Sequence, residues 1–176
     1  MARSHAWGWT IRPGLPSLTL VLLGWAASGQ AEAFGRWESK LQDCVLVHGL
    51  VGLPLQAQRQ SCGRLRLEQN LEGLLTVRLI TPSGGQRFGS QNLVFGGALA
   101  PGQKPMRCSP YGHCKPRWPI RLDVATVATS LAREESLAPT IPLARLAKGS
   151  CLLERRSLQC QARDQEGQFW EAKARL

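Results

Sequence analysis

Two stretches between Cys62 and Ile80, in the run CGRLRLEQNLEGLLTVRLI, alternate polar with apolar side chains. Arg64-Leu65-Arg66-Leu67-Glu68 is one and Leu75-Thr76-Val77-Arg78-Leu79 the other, and a period of two marks half-buried strands. With Leu71, Glu72 and Gly73 as the connecting loop, Leu65 faces Leu79, Leu67 faces Val77 and Glu68 faces Thr76. One face is then apolar and the other polar, whereas a slip of one residue mixes the faces. Gly73 suits the left-handed position that closes such a loop.

The C-terminal stretch reads in the same way. Pairing Cys151 with Cys160 puts Leu153 opposite Leu158. A turn at Gln165-Glu166-Gly167 then sets Ala162 opposite Trp170 and Cys160 opposite Ala172. One register satisfies both turns, which predicts a three-strand meander. Arg155-Arg156 is poor chemistry for a two-residue turn, so that loop is expected to be wider.

Elsewhere the pattern is less regular. Ser39 with Gln42 three residues later resembles a capping box, and Trp37, Leu41, Cys44, Val45 and His48 recur at helical spacing, which predicts a short helix with His48 at the edge of its apolar face. Val45-Leu46-Val47 favours strand at the same place. Thr81 to Pro119 is broken by seven glycines and six prolines and is expected to be mostly loop, with one strand over Asn92 to Phe95. Ile120 to Val127 alternates as a strand, and Pro142 to Lys148 before Gly149 suits a helical turn. The fold class expected is mainly β: a β-rich α+β domain with an antiparallel hairpin, a three-strand meander and one or two short helices. Whether the sheet closes into a barrel stays open.

The first residues place these elements in a compartment. Arg3 and Arg12 precede an apolar run from Leu18 to Ala27, and Ala31-Glu32-Ala33 follows as an A-x-A cleavage site, the layout of a secretory signal peptide over residues 1–33. The run is too short for a membrane-spanning helix, which needs roughly twenty apolar residues. Residues 34–176 are read as a single exported domain, periplasmic or secreted, with no transmembrane segment. Without the leader the chain keeps 20 basic and 11 acidic side chains, a net charge of +9. All six cysteines lie in this part, and in an exported chain an even number predicts disulfides. Fifteen pairings are open. The sequential set Cys44–Cys62, Cys108–Cys114 and Cys151–Cys160 is preferred because the meander register supports its last member.

The charge is unevenly spread. No acidic residue stands between Glu72 and Asp123, while Arg78, Arg87, Lys104, Arg107, Lys115, Arg117 and Arg121 all do, interleaved with Phe88, Phe95, Tyr111 and Trp118. Cations among aromatic rings suit a surface for polyanions, the cations for phosphate, sulfate or carboxylate and the rings for sugars or bases. In the hairpin register Arg66 lies opposite Arg78 with Arg64 on the same outer face, a like-charge arrangement that Glu68, diagonal to Arg78, only partly offsets. Arg64, Arg66, Arg78, Lys104, Arg107, Lys115, Arg117, Trp118 and Arg121 are therefore the candidate binding residues for an anionic polysaccharide, a lipid headgroup or a nucleic acid. The competing reading is a solvated face on a basic protein.

Catalytic signatures are scarce. His48 and His113 are the histidines beyond the leader, and there is no G-x-S-x-G, H-E-x-x-H, Walker loop or C-x-x-C. Cys108-Ser109-Pro110-Tyr111-Gly112-His113-Cys114 brings two thiols and an imidazole together, but the spacing fits no common zinc knuckle, and a disulfide-closed loop is favoured over a metal site. No cofactor is expected. The function expected is a non-catalytic, exported or envelope-associated binding protein. The alternative is a small hydrolase or protease inhibitor using the Gly/Pro-rich Cys108–Cys114 region.

The runs GRLRLEQNLEGLLTVRLI and PLARLAKGSCLLERRSLQC resemble short exported proteins of marine picocyanobacteria, a group of uncharacterised function. The resemblance implies periplasmic or secreted residence and carries over no catalytic or binding residue.

Overall fold

The computed structural model describes residues 34–53, 56–70, 73–81, 91–131 and 143–176; the expected leader lies outside them, as do Arg87 and Phe88. Among the described residues ten strands succeed one another: β1 (Gly35–Leu50), β2 (Gln58–Gln69), β3 (Leu74–Ile80), β4 (Gln91–Leu99), β5 (Arg107–Cys108), β6 (Cys114–Lys115), β7 (Ile120–Leu131), β8 (Leu143–Leu153), β9 (Ser157–Arg163) and β10 (Gln168–Arg175). Eight of them close an antiparallel barrel in the order β1-β2-β3-β4-β7-β8-β9-β10, with β10 pairing back to β1, while β5 and β6 form a separate ribbon. Neighbours in the barrel follow one another along the chain, an up-and-down arrangement that leaves no free sheet edge.

Both hairpins have the expected registers. Leu65 faces Leu79, Leu67 faces Val77 and Glu68 faces Thr76 across β2 and β3. Cys151 faces Cys160 and Leu153 faces Leu158 across β8 and β9, and Ala162 faces Trp170 across β9 and β10. Gly73 has a φ of 74°, and its N–H donates to Asn70 O at 3.2 Å to tighten the loop. The connection at Arg155-Arg156 is wider than two residues, since β8 ends at Leu153 and β9 begins at Ser157. Glu154 N–H donates to Ser157 O at 2.8 Å, Ser157 Oγ donates to Glu154 Oε2 at 2.8 Å, and Leu176 N–H donates to Arg156 O at 3.1 Å. These bonds hold the connection closed.

An eight-stranded barrel is narrow enough for side chains to fill. Leu65, Leu67, Leu75, Val77, Leu79, Phe95, Leu122 and Leu153 are wholly buried, with Val124, Leu158 and Trp170 nearly so and half-buried Leu176 packed against them. Arg64, Arg66 and Arg78 stay outside. Outward positions on the strands also carry Glu38, Lys40, Arg121, Lys148 and Lys173, the reverse of the apolar-out pattern of lipid-embedded barrels. No helix among the described residues is long and apolar enough to cross a membrane.

Two helical expectations are corrected. The segment Ser39 to His48 is part of β1, whose register slips between Lys40 and Cys44, with Asp43 at a φ of 47°. That bulge turns both Leu41 and Cys44 inward, so the spacing of three that imitates a helix is one extra residue in a strand. His48 sits on this strand, half-buried, with its ring stacked on Trp170. The segment after Pro142 is the start of β8; its Leu143 and Leu146 are exposed, so no apolar face exists for a helix to bury. The strand expected over Asn92 to Phe95 extends to Leu99, and that over Ile120 to Val127 extends to Leu131.

All three sequential disulfides form, each between adjacent strands: Cys44–Cys62 joins β1 to β2, Cys108–Cys114 joins β5 to β6, and Cys151–Cys160 joins β8 to β9. Three such bonds suit an oxidising compartment.

Candidate anion-binding face

Between β4 and β7 the chain leaves the barrel and crosses one of its ends before re-entering at Ile120. Anchors on both sides fix this excursion. Gln69, at 1 % exposure the buried polar side chain of the core, accepts the Met106 N–H at 2.6 Å through Oε1. Met106, Cys108 and Cys114 are buried, and Trp118 meets Trp37 edge-on with ring centroids 5.5 Å apart. At the tip, Ser109 N–H donates to His113 O at 2.8 Å and Gly112 N–H to Ser109 O at 3.0 Å. Arg36 N–H then donates to Gly112 O at 2.8 Å and hooks the tip to β1. Gly35 is needed there, because a Cβ would overlap both Gly112 O and the Cys114 sulfur.

Side chains alternate along a ribbon, so with the cysteines packed inward the next pair faces water. That pair is Arg107 and Lys115, directly opposite one another and both exposed. Arg36, Lys104, Arg117 and Arg121 are also exposed around this end, as are His113 and Tyr111, the last at 89 % exposure. Gln103 Oε1 accepts the Arg121 N–H at 3.1 Å, which sets the Lys104 segment beside the start of β7. Among the described residues none of Arg36, Lys104, Arg107, Lys115, Arg117 and Arg121 joins an ion pair.

The other predicted cations stand apart, on the outer wall of β2 and β3. Arg66 faces Arg78 as the register requires, but Arg66 Nε lies 2.7 Å from Glu38 Oε1 and Arg78 Nη2 lies 3.4 Å from Glu68 Oε2. Glu68 also reaches Arg66, at 3.7 Å. Two guanidinium groups and two carboxylates thus neutralise each other, and Arg64 next to them is exposed, opposite Lys40.

The nine predicted binding residues therefore fall into two groups, Arg64, Arg66 and Arg78 on the wall and Lys104, Arg107, Lys115, Arg117, Trp118 and Arg121 at the end. Phe95 lies in the core and has no surface to offer, and Trp118 is half-buried against Trp37. Arg36 was absent from the sequence-based set because it precedes the acid-free interval; only the hook between β1 and Gly112 brings it to the ribbon. With Cys108 and Cys114 bonded to each other, neither sulfur is a thiolate ligand, and no group of three or more metal-binding side chains occurs among the described residues.

The fold and face together define an eight-stranded up-and-down barrel with a disulfide-closed, cationic ribbon across one end. No protein-family model, curated protein or solved structure matches the chain.

Proposed function

We propose that the chain is an exported, non-catalytic binding protein, periplasmic or secreted, which holds an anionic polymer against the outer face of the β5–β6 ribbon. The observation that carries this reading is the Arg107–Lys115 pair within a group of exposed cations: two cations side by side with no carboxylate among the described residues to offset them. Like charges directly opposite one another in a ribbon destabilise it, and an external anion relieves the repulsion. Arg36, Lys104, Arg117 and Arg121 extend the same field, and the Tyr111 ring offers a flat apolar surface for a sugar or a base. The resemblance to exported picocyanobacterial proteins supports the compartment. The test is a binding screen of the oxidised protein against acidic polysaccharide, anionic vesicles and nucleic acid at two salt concentrations. Binding is expected to weaken steeply with salt, because each contact releases counterions.

A second reading rests on one observation, the fully presented Tyr111 at the tip of a bonded loop, which is also the shape of a protease-inhibitor loop. Inhibition of any protease in a panel, lost in Tyr111→Ala, would favour it.

A further inference from the structure

At the barrel end away from the β5–β6 ribbon the interior is incompletely filled. A cavity of about 50 Å³ lies among Leu46 and His48 of β1, Gln60 of β2, Leu93 of β4, Thr129 of β7 and Trp170 of β10. These residues form one layer, since His48 faces Trp170, Leu46 faces Gln60 and Leu93 faces Thr129 across their strand pairs. Such a volume takes roughly three to five water-sized groups, at about 10–15 Å³ each.

The exposed surface of the wall is mostly apolar although His48, Gln58, Gln60, Asn92 and Thr129 contribute to it, and Trp170 adds an indole donor. Trp170 is 2 % exposed, and its Nε1–H has no hydrogen-bond partner among the described residues. A buried indole N–H ordinarily finds an acceptor. The ring is held firmly: the His48 imidazole lies parallel to it, 5° from coplanar and 5.0 Å away, and His48 Nε2 meets Gln168 Oε1 at 3.2 Å. A donor with no acceptor among the described residues, beside a space walled by Leu46 and Leu93 together with Gln60 and Thr129, is the arrangement of a small-molecule site with few orienting hydrogen bonds. Among the described residues no Lys or Arg lines the cavity, so its chemistry differs from that of the cationic ribbon.

We propose that this end of the barrel binds a small molecule carrying a carbonyl or carboxylate oxygen on a compact apolar body of a few heavy atoms. The oxygen accepts from Trp170 Nε1–H, and the body lies against Leu46 and Leu93. Gln60 and Thr129 supply further hydrogen bonds and favour a ligand with a second polar atom.

The experiment is a titration of the exported, oxidised chain, followed through its indole N–H resonances by NMR. Propionamide and propionate, five heavy atoms each, carry the required oxygen; isopropylammonium has a similar three-carbon body and no acceptor. A saturable shift of the Trp170 resonance with either acceptor, with Trp37 and Trp118 unmoved and isopropylammonium without effect, is the expected result. Whether the amide or the carboxylate binds more tightly identifies the charge state of the oxygen. Trp170→Phe keeps the ring and removes the donor, and is expected to weaken binding at least tenfold, read on the Leu93 methyl resonances. Should that variant fail to fold, Thr129→Leu fills the opposite wall and is expected to abolish the shift. No saturable shift with either acceptor, an equal response to isopropylammonium, or unchanged binding in Thr129→Leu overturns the proposal.

Discussion

Four pairs of cations face one another across strands among the described residues, Lys40–Arg64, Arg66–Arg78, Arg107–Lys115 and Lys148–Arg163, and two of them differ sharply in what surrounds them. Arg66 and Arg78, on β2 and β3, are joined by Glu38 and Glu68 into a cluster of no net charge. Arg107 and Lys115, on β5 and β6, have no such partners among the described residues. The first pair is part of the barrel's own wall, its repulsion offset from within. The second stands on an appendage held by a disulfide, a hook to Arg36 and one buried glutamine, where an unbalanced charge adds nothing to the barrel. A cation pair read from strand register is thus not by itself a site: Lys40–Arg64 and Lys148–Arg163 also lack an ion pair among the described residues, and Arg107–Lys115 is set apart by the exposed cations and the Tyr111 ring around it.

The comparison breaks most severely if the ribbon is pushed off its seat. Gly35→Val forces a side chain against Gly112 and Cys114; it is expected to destabilise the protein by about 2–3 kcal/mol in urea denaturation and to remove polyanion binding with no charge altered. Next in size is the double charge reversal Arg107→Glu with Lys115→Glu, expected to weaken polyanion binding roughly 10–100-fold, or about 1.4–2.8 kcal/mol. The matching reversal Arg66→Glu with Arg78→Glu, the same change of four charges, should leave affinity within about twofold, less than 0.5 kcal/mol. Equal losses from the two doubles would erase the distinction between the ribbons. A smaller effect is expected of Glu68→Gln, which takes a partner from both Arg66 and Arg78 and should lower stability by about 0.5–1 kcal/mol, less in high salt. Smallest is Arg107→Gln, which relieves repulsion and should raise stability by up to about 0.5 kcal/mol in the free protein. A loss of stability there would mean that the ribbon cations have a partner after all.

The hairpins were legible in the sequence because two constraints acted on the same residues. Alternation chose the face of Leu65, Leu67, Val77 and Leu79, and the Gly73 turn fixed the register; at the C-terminus Cys151, Cys160 and Gly167 did the same for β8 to β10. Legibility failed where a bulge interrupts the alternation. Leu41 and Cys44 flank the irregularity in β1, and Val124 and Val127 flank another in β7, where Ala125 has no partner on either neighbouring strand. Bulges bend strands and increase their twist, the devices that help a sheet curl on itself. The features that hid β1 from a period-of-two reading are therefore of the kind that barrel closure uses. The anion face was legible as composition but not as a place: no local pattern tells that Glu38 answers Arg66, or that Arg36 joins a ribbon far along the chain. His48 and Trp170 come together only because β1 meets β10.

That last pairing also bears on synthesis. A chain made from its N-terminus presents β1 early and β10 near the end, so the edge of β1 from Gln42 to Leu50 waits unpaired until the last strand is made. An exposed edge with free N–H and C=O groups is a template for any passing strand. A holding chaperone for this protein would therefore serve best by covering that edge until Gln168 to Arg175 arrive, and a product cut short before Gln168 would carry the open edge for as long as it lasted.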